Sequence, residues 1–475
     1  MKYEVVAGLE VHIELATASK LFCSCSTKFG AEANENVCPA CCGMPGVPPV
    51  TNKKAIELGI AAGIVTNSEI SRLVSFDKKN YYYPDLPSGY QVTQLFAPIC
   101  RNGWVDIETA AGKKRITLKQ IHLEDDAGKL LHEGRHSLVD FNRSSVPLAE
   151  IVTNPDFSNA DEVVAFLEKL RSLLSFACAS DCKMQEGSMR CDVNISVREA
   201  GSDKLGIRSE IKNLNSFKSI NAAMNFEAQR HIDAIESGCG TLVQETRRWD
   251  DNLGETFSMR NKEDADDYRY FPNPELMPIH ISEEWIEAVR LSLPEAAQAK
   301  YERMTLQLGL PEEDSKIITG SKTLSAIFDK TIGFYNNPKE VVNWILVELL
   351  SVGKGENKGE DDITIDCEKF AKLIELVSNN TINRTVGKKL LVRVVEENID
   401  PEKYVEENKL VMVSDTEVID KAIKAILSEN EESVIDYKNG NQKVIGFFVG
   451  RIMKTLGGKA DPKIVNERLI HWLTY

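Results

Sequence analysis

Period-two alternation is the feature that most restricts what this chain can fold into. It is clearest in GLEVHIEL, residues 8–15, where Leu9, Val11, Ile13 and Leu15 alternate with Glu10, His12 and Glu14. Successive side chains of a strand point to opposite faces, so the segment predicts a strand with one apolar face and one face carrying two carboxylates around an imidazole. Short alternating segments recur at 105–108, 115–124, 191–198 and 206–212, separated by loops carrying Gly, Pro and Asn. Two longer stretches, 160–178 and 216–237, have helical spacing instead. Strands and helices do not alternate regularly over residues 1 to about 290, which predicts an α+β fold on a mainly antiparallel sheet. After Pro294 the pattern turns helical, as in EAAQAKYERMTLQLG and PKEVVNWILVELL, and GKGENKGEDD (353–362) reads as an exposed loop or linker. A last helical module begins near Pro401, where TEVIDKAIKAIL predicts the stripes Val418/Ala422/Ile426 and Ile419/Ile423/Leu427.

With 475 residues the chain exceeds one ordinary core, and two or three domains are expected. Its apolar runs fall well short of the roughly 20 residues that span a bilayer. The opening MKYEVVAGLEV lacks the layout of a signal peptide, so a cytoplasmic location is expected. The net charge of −15 does not exclude a polyanionic partner, because a local basic patch can steer one. Residues 437–475 hold such a patch: Lys438, Lys443, Arg451, Lys454, Lys459, Lys463 and Arg468 against Asp461 and Glu467. It fits a solvated helical face and an RNA contact equally well.

LFCSCSTKFGAEANENVCPACCGMPG holds Cys23-x-Cys25 and Cys38-x-x-Cys41 with twelve residues between them, and Cys42 adjacent. Close Cys pairs in a long chain of this kind favour metal over disulfides. Four thiolates can enclose one tetrahedral Zn²⁺ with no open position, which makes the expected site structural; the alternative is a set of reduced, buried thiols.

Three further segments add polar groups to strand faces. In RITLKQIHLEDDAGK, Gln120, His122 and Glu124 share a face, with Asp125 and Asp126 at the strand's end. SMRCDVNISVR sets Asp192, Asn194, Ser196 and Arg198 opposite its apolar residues, and in GIRSEIKNLNSFK, Arg208, Glu210 and Lys212 align. PLAEIV contributes Glu150 among apolar neighbours. Clustered carboxylates repel unless a cation neutralises them, and oxygen ligands with one imidazole suit Mg²⁺ or Mn²⁺ better than Zn²⁺. Interleaved Arg and Lys suit phosphate oxygens, so the set points to phosphoryl transfer. The sequence contains no G-x-x-x-x-G-K-[ST] and no G-x-S-x-G, so neither a P-loop nor a serine hydrolase is expected.

The strings GLEVHIEL, FGAEANENVCPAC, FDKKNYYYPDLPSGYQVTQ, HLEDDAGKLLH, SLVDFNRSSVPLAEIV, MQEGSMRCDVNISVR, EIKNLNSF, QETRRWD and DYRYFPNPEL follow one another in the first 280 residues. Together they resemble the B subunit of the aspartyl/glutamyl-tRNA(Asn/Gln) amidotransferases. VIDYKNGNQKVIGFFVGRIMKTLGGKADPKIVNERL is similar to that family's C-terminal module. The resemblance implies a glutamine-synthetase-like cradle at 1–292 with a four-cysteine zinc insertion at 23–41, a helical domain at 293–403, and a tRNA-contacting tail domain at 404–475. It implies a ligase that uses ATP to phosphorylate the side-chain carboxylate of Glu-tRNA(Gln) or Asp-tRNA(Asn), which ammonia then amidates. No glutaminase motif accompanies it, so the resemblance implies two partners: the amidase (glutaminase) of the A subunit, as ammonia source, and the small C subunit.

Carried onto this chain, the resemblance implies that Glu10, His12, Glu124, Asp125, Glu150, Asp192 and Glu210 form the catalytic set, with Glu10, His12, Asp125 and Glu210 on Mg²⁺. Arg190, Arg198, Arg208 and Lys212 are expected on phosphate or the 3′-terminal nucleotide, and Lys79, Tyr81, Tyr82 and Tyr83 near the acceptor end. Where the family has two adjacent glutamates this chain has Glu124-Asp125, which shortens one arm. Two rival readings stand beside this one: a non-catalytic zinc-containing tRNA-binding adaptor, and a metal-dependent hydrolase of phosphate esters.

Overall fold

The computed structural model describes residues 2–238, 242–261, 268–355, 359–412, 416–438, 441–442, 444–456, 460 and 462–474. Lys443, Lys459 and Asp461 of the C-terminal stretch, and 356–358 of the expected linker, lie outside the described residues. The chain divides into two compact units, Met1–Ala297 and Gln298–Tyr475.

A nine-stranded sheet organises the first unit. Its order is Glu255–Asn261, Glu245–Asp250, Ser209–Lys212, Met189–Glu199, Tyr3–Glu14, Pro147–Thr153, Gly112–Asp125, Cys100–Thr109 and Glu69–Ile70. Neighbours are antiparallel except Ser209–Lys212 beside Glu245–Asp250, which is parallel. The first strand therefore sits in the middle of the sheet, and the fold is α+β as the alternating segments imply.

Helices Lys53–Val65, Ala160–Phe176 and Phe217–Ser237 cover one face. Each begins on a side-chain cap that satisfies an orphan amide: Asn52 for Lys54, Asn159 for Glu162 and Ser216 for Ser219. Leu9, Val11 and Ile13 are at most 1% exposed and enter the same core as Phe166, Leu167 and Leu170. The apolar half of the alternation is thus consumed by the helices, and the polar half faces the other way.

Helix Lys53–Val65 lies close on the sheet because Gly59 and Gly63 face it. A Cβ at Gly63 would sit 2.4 Å from Cys100 Sγ, and Cys100 is itself fully buried. Gly63→Ala gains about 1 kcal/mol of helix propensity. It forces a core shift that costs about 1–3 kcal/mol. We expect net destabilisation, seen as a lower denaturant midpoint at unchanged slope; an equal or higher midpoint rejects the close-packing account.

The second unit is helical and holds two separate cores. One surrounds Phe328, Trp344 and Phe370, the other Ile423, Phe448 and Leu469. In helix Thr416–Glu429 the buried stripe is Ile419/Ile423/Ile426, whereas Val418, expected on a buried stripe, is 42% exposed.

Candidate active site and metal centre

Strand register carries the polar side chains together. His12 pairs with Glu150 on one side and Arg190 on the other, and Glu150 pairs in turn with His122. One step along, Glu10 pairs with Asp192, and Asn194 with Glu210. Five strands thereby deliver Glu10, His12, Glu124, Glu150, Arg190, Asp192, Glu210 and Lys212 to one cavity of about 630 Å³.

At its centre His12 Nε2 lies 3.3 Å from Glu150 Oε2 and 3.4 Å from Glu124 Oε1. His122 Nε2 lies 3.0 Å from the same Glu150 oxygen. Neighbouring ligands of an octahedral ion held at about 2.1 Å are about 3 Å apart, so the His12, Glu124 and Glu150 atoms fit a single small divalent cation. Nearby, Glu10 accepts a hydrogen bond from Asn194 at 3.0 Å. Lys212 Nζ bridges Asp192 (2.7 Å) and Glu210 (3.1 Å), and Glu210 also accepts from Thr246 Oγ1 at 2.9 Å. Asp126 binds two guanidinium groups, Arg190 at 2.9 Å and Arg143 at 3.1 Å. The remaining wall includes Tyr81, Tyr268 and Tyr270, with Lys79 Nζ 4.9 Å from the Tyr268 ring centre.

Protonation follows from crowding in a half-buried space. Burial, then the Glu150 and Glu210 charges, raises Glu10. Burial also raises Glu14, to about 7, reinforced by Asp126 and opposed by Arg190 and Arg143. Burial pulls His12 down, yet its Glu150 hydrogen bond and the Glu124 charge outweigh this and push the imidazole up to about 9. His122 rises against the same burial, through its hydrogen bond to Glu150 and the charges of Glu150 and Glu124. Burial opposes ionisation of Glu150, but hydrogen bonds from both imidazoles hold it well below the usual carboxylate range.

A proton held at about 9, against 6.5 in an unperturbed imidazole, stabilises the metal-free fold below pH 6.5, a contribution lost as pH rises through 9. A cation on the same nitrogen competes with that proton. Mn²⁺ affinity should therefore rise between about pH 6.5 and 9, with up to one proton released per ion. Calorimetry in buffers of different ionisation enthalpy reads this directly, and pH-independent binding without proton release removes His12 from the ligand set.

Five expected residues lie elsewhere. Asp125 is the successor of Glu124 in a strand, so its carboxylate points to the opposite face; it accepts from the Val92 amide at 2.7 Å and borders a separate cavity of about 430 Å³. Its place at the site is taken by Asp126, where the strand has ended and the side chain turns back to the polar side. Arg198 pairs with Glu4 at 3.2 Å, about 20 Å along the strand from Asp192. Arg208 is exposed and precedes its strand, and Tyr82 and Tyr83 are exposed beside a shallow groove with Pro84 and Pro87. His122 and Asp126, read in the sequence as polar strand positions but given no role, stand at the centre. Arg143, Tyr268 and Tyr270 come from irregular segments where no periodicity marks them.

The second cluster is the cysteine segment. The Sγ atoms of Cys23, Cys25, Cys38 and Cys41 lie within 4.8 Å of one another, with Cys38 and Cys41 at 3.9 Å. A tetrahedron with metal–sulfur bonds of about 2.3 Å has edges of about 3.8 Å, so the four thiols fit one metal ion. Cys42 stands outside the set. The Cys38 amide donates to Cys41 Sγ at 3.2 Å. The hydrogen bond with Cys23, aided by that amide and by Lys20, lowers Cys41 to about 4 despite its burial.

Residues 5–287 match the family model described as the GatB/GatE catalytic domain, and residues 326–473 match the GatB domain. The chain is similar along nearly its whole length to proteins named as the B subunit of aspartyl/glutamyl-tRNA(Asn/Gln) amidotransferase. That of Caldicellulosiruptor bescii is 51% identical over 474 residues, covering 99% of this chain and 98% of its own. That of Lachnoclostridium phytofermentans is 50% identical over 469 residues, covering 98% of both. The Agathobacter rectalis protein is 49% identical over 473 residues, covering 99% of both.

Proposed function

This chain belongs to the family of B subunits of the aspartyl/glutamyl-tRNA(Asn/Gln) amidotransferases, and from that premise we propose that its carboxylate-lined cavity is where ATP activates the tRNA-borne side chain. The protein is one component of a ligase that forms a carbon–nitrogen bond on misacylated tRNA. The convergence of Glu10, His12, Glu124, Glu150, Asp192 and Glu210 with the cations Arg143, Arg190, Lys79 and Lys212 carries the reading. Two anions, a nucleotide and a carboxylate, must meet there, and only fixed cations make that favourable.

In the proposed reaction a carboxylate oxygen of the aminoacyl side chain attacks the γ-phosphorus, the bond to ADP breaks, and an acyl phosphate forms. Ammonia then attacks the acyl carbon through its lone pair, phosphate leaves with the carbon–oxygen bonding pair, and the nitrogen loses a proton. His12, Glu124 and Glu150 would hold Mg²⁺, with Glu10, Asp192 and Glu210 beside it. Bound there, the ion would supply charge neutralisation to the phosphates. Arg143 and Arg190, both anchored on Asp126, present guanidinium groups to phosphate oxygens. Lys212 is restrained by Asp192 and Glu210, which keep it cationic where a phosphate would approach. Tyr81, Tyr268 and Tyr270 would line one wall of the space for the acyl phosphate.

The same proposal includes Zn²⁺ at the four cysteines, the glutaminase A subunit and the small C subunit as partners, and the division into catalytic 1–292, helical 293–403 and tRNA-contacting 404–475. Within the last segment Arg468 is already committed to Asp420, which makes the exposed Lys454 a better candidate for RNA. The test is amidation driven by ammonium salts in the assembled enzyme. We expect ATP cleavage that requires both Mg²⁺ and misacylated tRNA; tRNA binding without ATP cleavage would establish the adaptor reading instead.

A further inference from the structure

Lys20 is among the largest fully buried side chains of the protein, at 0% exposure. A buried ammonium is costly unless anions and acceptors surround it. Its Nζ donates to Cys41 Sγ at 3.4 Å and to the Phe141 carbonyl at 3.1 Å. Four thiolates around a divalent ion carry a net charge of −2, and Lys20 is the cation that bears on Cys41 and on Cys42.

The same residue stands at a seam. Its amide donates to the Cys25 carbonyl at 3.0 Å, inside the metal segment, and the next amide, of Leu21, donates to the Ser145 carbonyl at 2.8 Å. Ser144 Oγ donates to the Cys41 carbonyl at 3.2 Å. Residues 141–145 are thus stitched to the cysteine centre from one side. From the other they carry Arg143 onto Asp126, whose carbonyl also accepts from the Ser145 amide at 2.9 Å.

We propose that Lys20 is a positioning residue that neutralises the tetrathiolate metal centre and, through Phe141, fixes the segment presenting Arg143 to the catalytic cavity. Groups that hydrogen-bond to metal ligands commonly tune metal affinity or activity by about 10–100-fold. The link to Arg143 rests on the phosphate role proposed above; the link to the metal does not.

The test uses the full chain loaded with Co²⁺ or Zn²⁺, and the assembled enzyme for kinetics. In Lys20→Met we expect one metal per chain to remain, thiolate-to-cobalt charge-transfer bands at lower energy, and zinc release to a chelator about 10–100-fold faster. Unchanged bands and release rates overturn the proposal. Lys20→Arg keeps the charge and carries the test if Lys20→Met is not recovered soluble: bands at the wild-type energy support it, bands at lower energy overturn it. In the assembled enzyme Lys20→Met and Arg143→Ala should each lower kcat/KM for ATP, and the double variant should match Arg143→Ala alone. Additive losses overturn the link to Arg143, whereas a wild-type complex that cleaves no ATP overturns the proposed function instead.

Discussion

Combining Glu10→Ala with His12→Ala is expected to lower tRNA-dependent ATP cleavage by about 10³-fold or more, with the fold intact. Both side chains leave the central strand toward the cavity, so neither contributes apolar contact to the helix-covered core. His12 closes the cluster with Glu124 and Glu150, and Glu10 faces Asp192 across the register. Removing them leaves Glu124 and Glu150 with His122 in place of two imidazoles beside them. That disfavours the doubly ionised state on which any cation depends. tRNA affinity should change little, because the cations proposed to contact it are other residues. Single-turnover ATP cleavage alongside a tRNA binding titration separates the two effects, and undiminished cleavage would remove these residues from the chemistry.

The second large effect is expected from the cysteines. Between Glu14 and Lys53 the chain forms neither helix nor strand, only turns and the isolated Ser19–Ser26 bridge. Four thiols at tetrahedral spacing, together with hydrogen bonds from the Asn34 and Asn36 amides to Asp140 and Asn142, close a long segment that covers Asp125 and the neighbouring cavity. In small metal-dependent modules such a centre contributes on the order of 10 kcal/mol. Cys38→Ser with Cys41→Ser should abolish stoichiometric zinc and expose the segment to proteolysis near Lys28. The sheet core takes Leu15, Leu21 and Phe22 from the start of that segment, ahead of the cysteines, and should keep its far-UV signature. A double variant as protease-resistant as the parent would show that the fold, not a metal, holds the segment.

Much of this arrangement is written in the alternation itself. Glu10, His12, Glu124 and Glu150 can be assigned to polar strand faces from neighbours alone, because a buried apolar face leaves no freedom of register by one residue. The misplacement of Asp125 has the same root: family kinship suggests an adjacent acidic pair, while the strand period admits only one of two neighbours to a given face. What local pattern cannot disclose is which strands become neighbours, and so that His12 lies between Glu150 and Arg190. Arg143 is further out of reach, since its position depends on backbone bonds to a distant cysteine segment. In the helical unit the spacing predicts Val418 on a buried stripe, but on a 3.6-residue helix the stripe turned toward the core is Ile419/Ile423/Ile426.

The central position of the first strand also governs when the protein can mature. Tyr3–Glu14 waits for partners at 148–152 and 189–199, so its two ladders cannot both close until residue 199 has been synthesised. At translation speeds of about 5–20 residues per second, the strand waits roughly 10–40 s for its second partner, with Leu9, Val11 and Ile13 incompletely covered in the meantime. The residues that later anchor the core are thus, during synthesis, the ones most in need of a chaperone at the ribosome exit.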